Sequence, residues 1–166
     1  MELRLATTQD LGQLKIVYEE IIEQMNRQGI SIWNAYFPYP FFAGDIQAQR
    51  LYLLMEQEVI AAAFALLEEN EGAEAVKWPS GQAKALYLDR VGVNVHYQRR
   101  GVGKQVISLA QTLAKEQGAS CLRLFVVDVN APAIRLYQQS GFVKADGVYE
   151  EHLENGVVLR EFGYEI

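Results

Sequence analysis

The sequence predicts an α+β protein, a single domain over residues 1–166 whose mostly antiparallel sheet has about six to seven strands flanked by about four helices. Three observations carry that prediction. Apolar residues recur at helical spacing in two long stretches, 8–27 and 102–117. Short runs rich in β-branched and apolar residues lie between and after them, CLRLFVV the plainest. The length of 166 residues suits one core, and half the residues are hydrophobic with 22% charged, as in an ordinary globular protein.

Taken along the chain, Leu3–Ala6 opens with a short strand. Thr7 followed three residues later by Asp10 makes an approximate capping box, and Leu11, Leu14, Tyr18, Ile21, Ile22 and Met25 then share a helical face up to Gly29. The stretch SIWNAYFPYPFFAG, residues 31–44, carries six aromatics and two prolines, which reads as irregular or briefly helical. Its aromatics either plug the core or form a lid over a bound small molecule. Residues 50–56 and 58–67 form a hairpin, 68–82 a polar loop, and Ala83–Val95 a strand with Asp89, Val91, Val93 and Val95 on one face. A helix from about Gly101 to Gln117, a strand over Cys121–Val127, a helix over Asn130–Ser140 and strands over 142–149 and 156–165 complete the order β-α-ββ-β-α-β-α-ββ.

Composition narrows the function. A net charge of −6 disfavours a nucleic-acid partner, whose phosphates demand a basic face, and modestly suits a cationic substrate. One cysteine, Cys121, excludes an internal disulfide, and with two scattered histidines it makes no zinc site, so no metal is expected. Cys121 opens an apolar run and reads as a packed residue. MELRLATT is no basic-then-apolar leader and no apolar run reaches membrane length, so a cytoplasmic protein with no membrane partner is expected.

The chemistry-bearing stretch is Gln98-Arg99-Arg100-Gly101-Val102-Gly103, QRRGVG, followed by Lys104. It is not a Walker A loop, since Gln105 follows Gly103-Lys104 and position 98 is not glycine. Nor is it the dinucleotide fingerprint, since Val106 takes the third glycine's place. What remains is a strand running through a turn into a helix. Its glycines admit close backbone approach, and the first helical amides with Arg99, Arg100 and Lys104 offer an anion site. Arginines in solvent around a simple helix start would look the same.

A second segment follows about 30 residues on, VNAPAIRLYQQSGF. With both in place and in this order, the chain resembles the GNAT superfamily of acetyl-CoA-dependent N-acetyltransferases. QRRGVG is similar to its (R/Q)xxGx(G/A) signature, the later segment to its NxxAxxLYxxxGF form, and RLATTQDL to its usual start. Where many relatives carry proline after the fourth strand, this chain has Val95.

The resemblance implies a sheet splayed between its fourth and fifth strands. It implies that the backbone from Gln98 through Arg99, Arg100, Gly101, Val102 and Gly103 to Lys104 seats the pyrophosphate of coenzyme A, and that the strand end at Val91, Val93 and Val95 pairs with the pantetheine arm. Asn130 would bond the pantetheine or orient the cofactor, although a helix N-cap explains an asparagine there equally well. Tyr137 would give a proton to the departing thiolate. The implied reaction is direct attack of a primary amine on acetyl-CoA in a ternary complex, with acetyl-CoA as cosubstrate. Asp89 is a candidate base, with Glu150 and Glu151 as further options, and Trp33, Tyr36 and Tyr39 would stand at the acceptor. The acceptor, a small molecule or a peptide, stays open, as does a homodimer. Two alternatives are a non-catalytic acyl-CoA sensor and a protein acetyltransferase.

Overall fold

The computed structural model describes residues 1–33 and 38–166. In chain order the first half holds β1 (Glu2–Leu5), α1 (Leu11–Arg27), α2 (Tyr39–Gln47), β2 (Leu51–Glu56), β3 (Val59–Leu67), β4 (Val76–Lys77) and β5 (Ala85–Val93). The second half holds α3 (Val102–Glu116), β6 (Cys121–Val127), α4 (Ala131–Gln139), β7 (Val143–Lys144), β8 (Asp146–Gly147), β9 (Tyr149–His152) and β10 (Val158–Glu165). The α+β class and the mixed, mostly antiparallel sheet are as expected; the main sheet has eight strands, and β4 and β8 make a second of two. Among the described residues no helix is long and apolar enough to cross a membrane.

The chain packs as two compact units, Met1–Leu66 with Arg90–Val106, and Leu67–Asp89 with Ile107–Ile166. In the first, β1, β2 and β3 are successive antiparallel neighbours. The β2–β3 hairpin turns at Gln57, whose φ is +56°. The expected capping pair is present: Asp10 Oδ2 accepts from the Thr7 amide at 2.7 Å and from its hydroxyl at 2.9 Å. Arg4 grips the same carboxylate at 2.8 and 2.6 Å, and that bond above all holds the Asp10 carboxyl down at about 2. Helix α1 then buries Leu14, Val17, Tyr18 and Ile21, the stripe read from the sequence.

Part of the aromatic stretch is more regular than expected. Tyr39–Gln47 is a helix, because a proline in its first turn loses no hydrogen bond the helix would have made. It buries Phe42 completely and Asp45 to 1% exposure. Asp45 Oδ1 accepts from Arg50 Nε at 2.7 Å and Oδ2 from Arg90 Nε at 2.7 Å. The Arg90 guanidinium also lies 4.7 Å from the centre of the Phe41 ring.

Arg90 sits in the middle of β5 with φ +56°, a left-handed conformation costly for a side-chain-bearing residue. The Tyr18 hydroxyl donates to its carbonyl. Tyr18 comes so close to the strand that a Cβ on Gly92 would lie 2.6 Å from its ring, which explains the glycine. The regular pleat expected from Asp89 through Val95 is therefore broken at Arg90. The strand also stops two residues early, at Val93. Asn94 causes that stop: its amide donates to Ala61 O at 3.0 Å and its Nδ2 to Ile60 O at 2.9 Å, while its Oδ1 caps a short 3-10 turn, Val95–Tyr97. Val95 is thus a turn residue and not a strand residue.

In the second unit β5 pairs with β6 in parallel, at Ala85 with Cys121, Leu86 with Leu122 and Tyr87 with Arg123, and there the pairing ends. Strand β6 pairs antiparallel with β10, which also carries β7 and β9. Register puts Tyr87, Arg123, Phe125, Gly163 and Glu165 on one face. Trp78 covers that face, 5.4 Å from Phe125 and 6.1 Å from Tyr87, and a Cβ on Gly163 would lie 2.9 Å from its ring. Arg123 lies 4.5 Å over the Trp78 ring and bonds Glu165 at 2.8 Å and Gly81 O at 2.7 Å. The strand expected over 142–149 is two short pieces, β7 and β8, with Gly147 at φ +107°.

Removing the Asp45 carboxylate takes away the acceptor that Arg50 Nε and Arg90 Nε share. Asp45→Ala is expected to cost roughly 3–5 kcal/mol, read as a lower urea midpoint. A loss below about 1 kcal/mol would show that Phe41 and solvent suffice for Arg90.

Candidate active site

The glycine turn begins where the Asn94-capped turn ends. Gln98–Gly101 forms a turn with Arg99 at φ +59° and Gly101 at φ +80°, and α3 starts at Val102. Gln98 anchors it by donating from Nε2 to Gln24 Oε1 at 2.7 Å. The first amide to find a helical acceptor is that of Gln105, bonded to Gly101 O at 3.1 Å. Those of Val102, Gly103 and Lys104 have no acceptor among the described residues. No atom lies within 4 Å of where a Cβ on Gly101 would stand, so the glycine answers the backbone conformation and leaves the approach to the amides open. Arg99, Arg100 and Lys104 are exposed, with Arg100 5.2 Å from the Tyr97 ring centre. Free amides, fixed positive charge and open space fit a pyrophosphate.

Val91 and Val93 are half-buried in the last residues of β5, and Val95 is half-buried in the turn. In the second unit Asn130 caps α4, its Oδ1 accepting from the Ala133 amide at 3.3 Å, with Pro132 in the first turn. Tyr137, on the same helix, is 7% exposed and packs edge-on to Phe142 at 5.7 Å. Its hydroxyl has no hydrogen-bond partner among the described residues. Burial, and after it the charge of Asp89, pushes the phenol well above its ordinary range.

Asp89 therefore lies within electrostatic reach of Tyr137, and it reaches two further carboxyls. Strands β9 and β10 set Glu161 opposite Tyr149 and Leu159 opposite Glu151, so the two glutamates are diagonal neighbours on one face. Each carboxyl influences the other's proton affinity. Burial first, then the charges of Glu151 and Asp89, push the Glu161 carboxyl up to about 8. Glu151 is raised chiefly by burial, against the pull of Glu161. Glu150 pairs with Arg160, on the other face and exposed. The sequence reading missed Glu161; its signal was a charged residue at an inward position of the final strand, REFGYE.

Of the expected acceptor aromatics, Trp33 lies 5.7 Å from Tyr18 with its ring tilted 31°, and Tyr39 is 38% exposed, edge-on to Phe42 at 6.2 Å with Lys15 Nζ 5.8 Å from its centre. Tyr36 lies outside the described residues. Cys121 is half-buried, and burial raises its thiol, the environment of a packed cysteine.

The profile of the acetyltransferase (GNAT) family matches residues 16–142, and the chain belongs to that family. Over 58 residues it is 40% identical to the "Probable spermine N(1)-acetyltransferase" of Bacillus subtilis subsp. natto, covering 34% of this chain and 38% of that protein. Over 79 residues it is 32% identical to the thialysine N-epsilon-acetyltransferase of Sus scrofa, covering 46% of each. The matched part thus spans less than half the length of these relatives. Among solved structures, a GNAT-family acetyltransferase from Streptococcus agalactiae 2603 superposes with a TM-score of 0.80 at 17% identity, covering 99% of this chain and 93% of that one. The yncA protein of Salmonella typhimurium, solved with its cofactor acetyl-CoA, gives 0.65 at 14% identity, covering 99% and 92%. At such identities the likeness speaks for the fold.

Glu161 links folding to pH. Its carboxyl rises from 4.5 to about 8, so the folded chain keeps a proton that the unfolded chain releases. The stability this contributes is complete below the unfolded value and lost as pH climbs through about 8. The melting temperature should therefore fall between pH 6 and pH 9, and Glu161→Gln should reduce that fall; parallel curves for the two proteins would contradict it.

Proposed function

We propose that this chain moves the acetyl group of acetyl-CoA to a primary amine of a small cationic molecule, by direct attack in a ternary complex. The amides from Gly101 to Lys104, with Arg99, Arg100 and Lys104, hold the pyrophosphate, and Gln98 braces their turn. The backbone of Val91, Val93 and Val95 meets the pantetheine amides as an added strand would. Asn130 reaches the cofactor with its Nδ2 while its Oδ1 keeps the helix cap. When bound, acetyl-CoA supplies the activated carbonyl and the sulfur leaving group.

Tyr137 carries the reading. The phenol is nine-tenths buried while its hydroxyl donates to no described residue, so its proton is available to the departing sulfur. Burial and Asp89 keep the phenol protonated at any working pH. It therefore donates a hydrogen bond, and then the proton, as the C–S bond breaks.

The acceptor's charge is matched by the carboxylates around Asp89, and the amine's proton leaves in their direction. Relatives named for spermine and thialysine act on alkyl amines, which supports a small cationic acceptor. Trp33 and Tyr39 stay candidates for aromatic contact with an amine, and Tyr36, also a candidate from the sequence, lies outside the described residues.

Tyr137→Phe is expected to lower kcat by roughly 100-fold with coenzyme A affinity unchanged, measured by thiol release and by calorimetry. An unchanged kcat would remove the acid role.

A further inference from the structure

Two costly backbone conformations bracket the stretch proposed to hold the cofactor. Arg90 has φ +56° and Arg99 φ +59°, in the left-handed region that residues bearing a Cβ avoid. Such residues persist only where their surroundings over-determine them. Asp45 answers the charge of Arg90. The backbone at both ends is held by a different element, the helix α1.

Tyr18 donates from its hydroxyl to the Arg90 carbonyl. Its ring lies 2.6 Å from where a Cβ on Gly92 would stand, so the strand passes directly against it. Gln24 accepts at Oε1 from Gln98 Nε2 at 2.7 Å, one residue before Arg99, and Gln98 reaches back to Val93 O at 3.5 Å. Between these points Glu20 Oε2 lies 3.7 Å from His96 Nε2. The order is collinear: Tyr18, Glu20 and Gln24 along the helix meet Arg90, His96 and Gln98 along the chain. The six-residue step from Tyr18 to Gln24 rises about 9 Å, so α1 sets the distance from the strand end to the turn.

The helix is referenced to the strand that Asn94 grips. Gln13 Oε1 accepts from the Ile60 amide and its Nε2 donates to Glu58 O, both at 3.1 Å. Asn94 donates to Ile60 O and to Ala61 O. The helix, the start of β3 and residues 90–98 thus make one closed circuit of hydrogen bonds, all within the first unit. Tyr18 is fixed in that circuit at 2% exposure, edge-on to Phe42 at 4.8 Å.

We propose that Tyr18 and Gln24 are positioning residues for acetyl-CoA. Tyr18 presets the strand end that meets the pantetheine arm, and Gln24 presets the turn that seats the pyrophosphate. The inference rests on the acetyl-transfer reading for the identity of the ligand. Neither side chain takes part in the transfer. Their effect is on the free protein, because a backbone already held in its bound conformation loses no freedom when the cofactor arrives. Released from either contact, the bracketed stretch relaxes from its left-handed conformations and the cofactor must restore them. Affinity then falls with the fraction of molecules in the competent form, while the rate at saturation is kept. One neutral hydrogen bond is worth roughly two- to tenfold on that scale. A merely structural role acts otherwise: fewer molecules fold, and those that do bind as before.

Calorimetric titration with coenzyme A tests this and needs no acceptor amine. ADP, which carries the pyrophosphate and no pantetheine, is the second probe, measured by competition against coenzyme A. Tyr18→Phe keeps the ring and loses the donor; Gln24→Met keeps length and helix propensity and loses the acceptor. Tyr18→Phe should raise the coenzyme A Kd about fivefold and leave the ADP Kd within about twofold. Gln24→Met should raise both about fivefold. Binding stoichiometry should stay that of the wild type in each. An unchanged coenzyme A Kd in either variant, a stoichiometry that falls at constant Kd, or an ADP Kd raised by Tyr18→Phe as much as that of coenzyme A overturns the inference and leaves acetyl transfer standing. A wild-type protein that binds no coenzyme A overturns the transferase reading itself.

Discussion

The carboxylate of Asp45 accepts from Arg50 on one oxygen and from Arg90 on the other, and the course of β5 follows from that double bond. Arg90 takes a left-handed backbone that a side chain disfavours, and its charge is buried. Both costs are borne because Asp45 neutralises the charge and Tyr18 ties down the carbonyl. A strand with such a residue at its middle cannot keep a regular ladder. Its parallel pairing with β6 covers only Ala85–Tyr87, before Arg90 is reached. The residues that follow are the strand end and then the glycine turn proposed to hold the cofactor. Asp45 and Tyr18 therefore matter to the cofactor reading without touching the cofactor.

Charge matching organises the second unit by contrast. Arg123, stacked on Trp78, satisfies Glu165, while Glu161, four residues earlier on the same strand face, lies under the influence of Glu151 and Asp89. One strand thus supplies both a carboxylate in an ion pair and a carboxyl that burial and nearby acids keep protonated. The difference is whether a cation faces the carboxyl from a neighbouring strand.

Much of this was legible beforehand. The capping of α1 by Thr7 and Asp10, the β2–β3 hairpin, the QRRGVG turn and the Asn130 cap were read correctly because each depends on residues a few positions apart. The strand was extended to Val95 because alternation continues through Asn94, and only the bonds from Asn94 to Ile60 and Ala61 show that it stops. Helix α2 was obscured by its prolines, which read as breakers until one of them proves to lie in the first turn. Glu161 was passed over because a lone charge in a strand reads as exposed until its register is known.

By itself the sequence determined the class of protein and marked the turn proposed for its cofactor. Glycine conformation, helix N-termini and the spacing of Asn130 and Tyr137 are local properties that survive without knowledge of the rest of the chain. Tertiary structure alone decided which charges are matched. Asp45 meets Arg90 across 45 residues and Arg123 meets Glu165 across 42, through strand register and helix docking. Whether a carboxylate is an anchor or a base depends on such distant neighbours, because burial and the sign of nearby charge set its proton affinity.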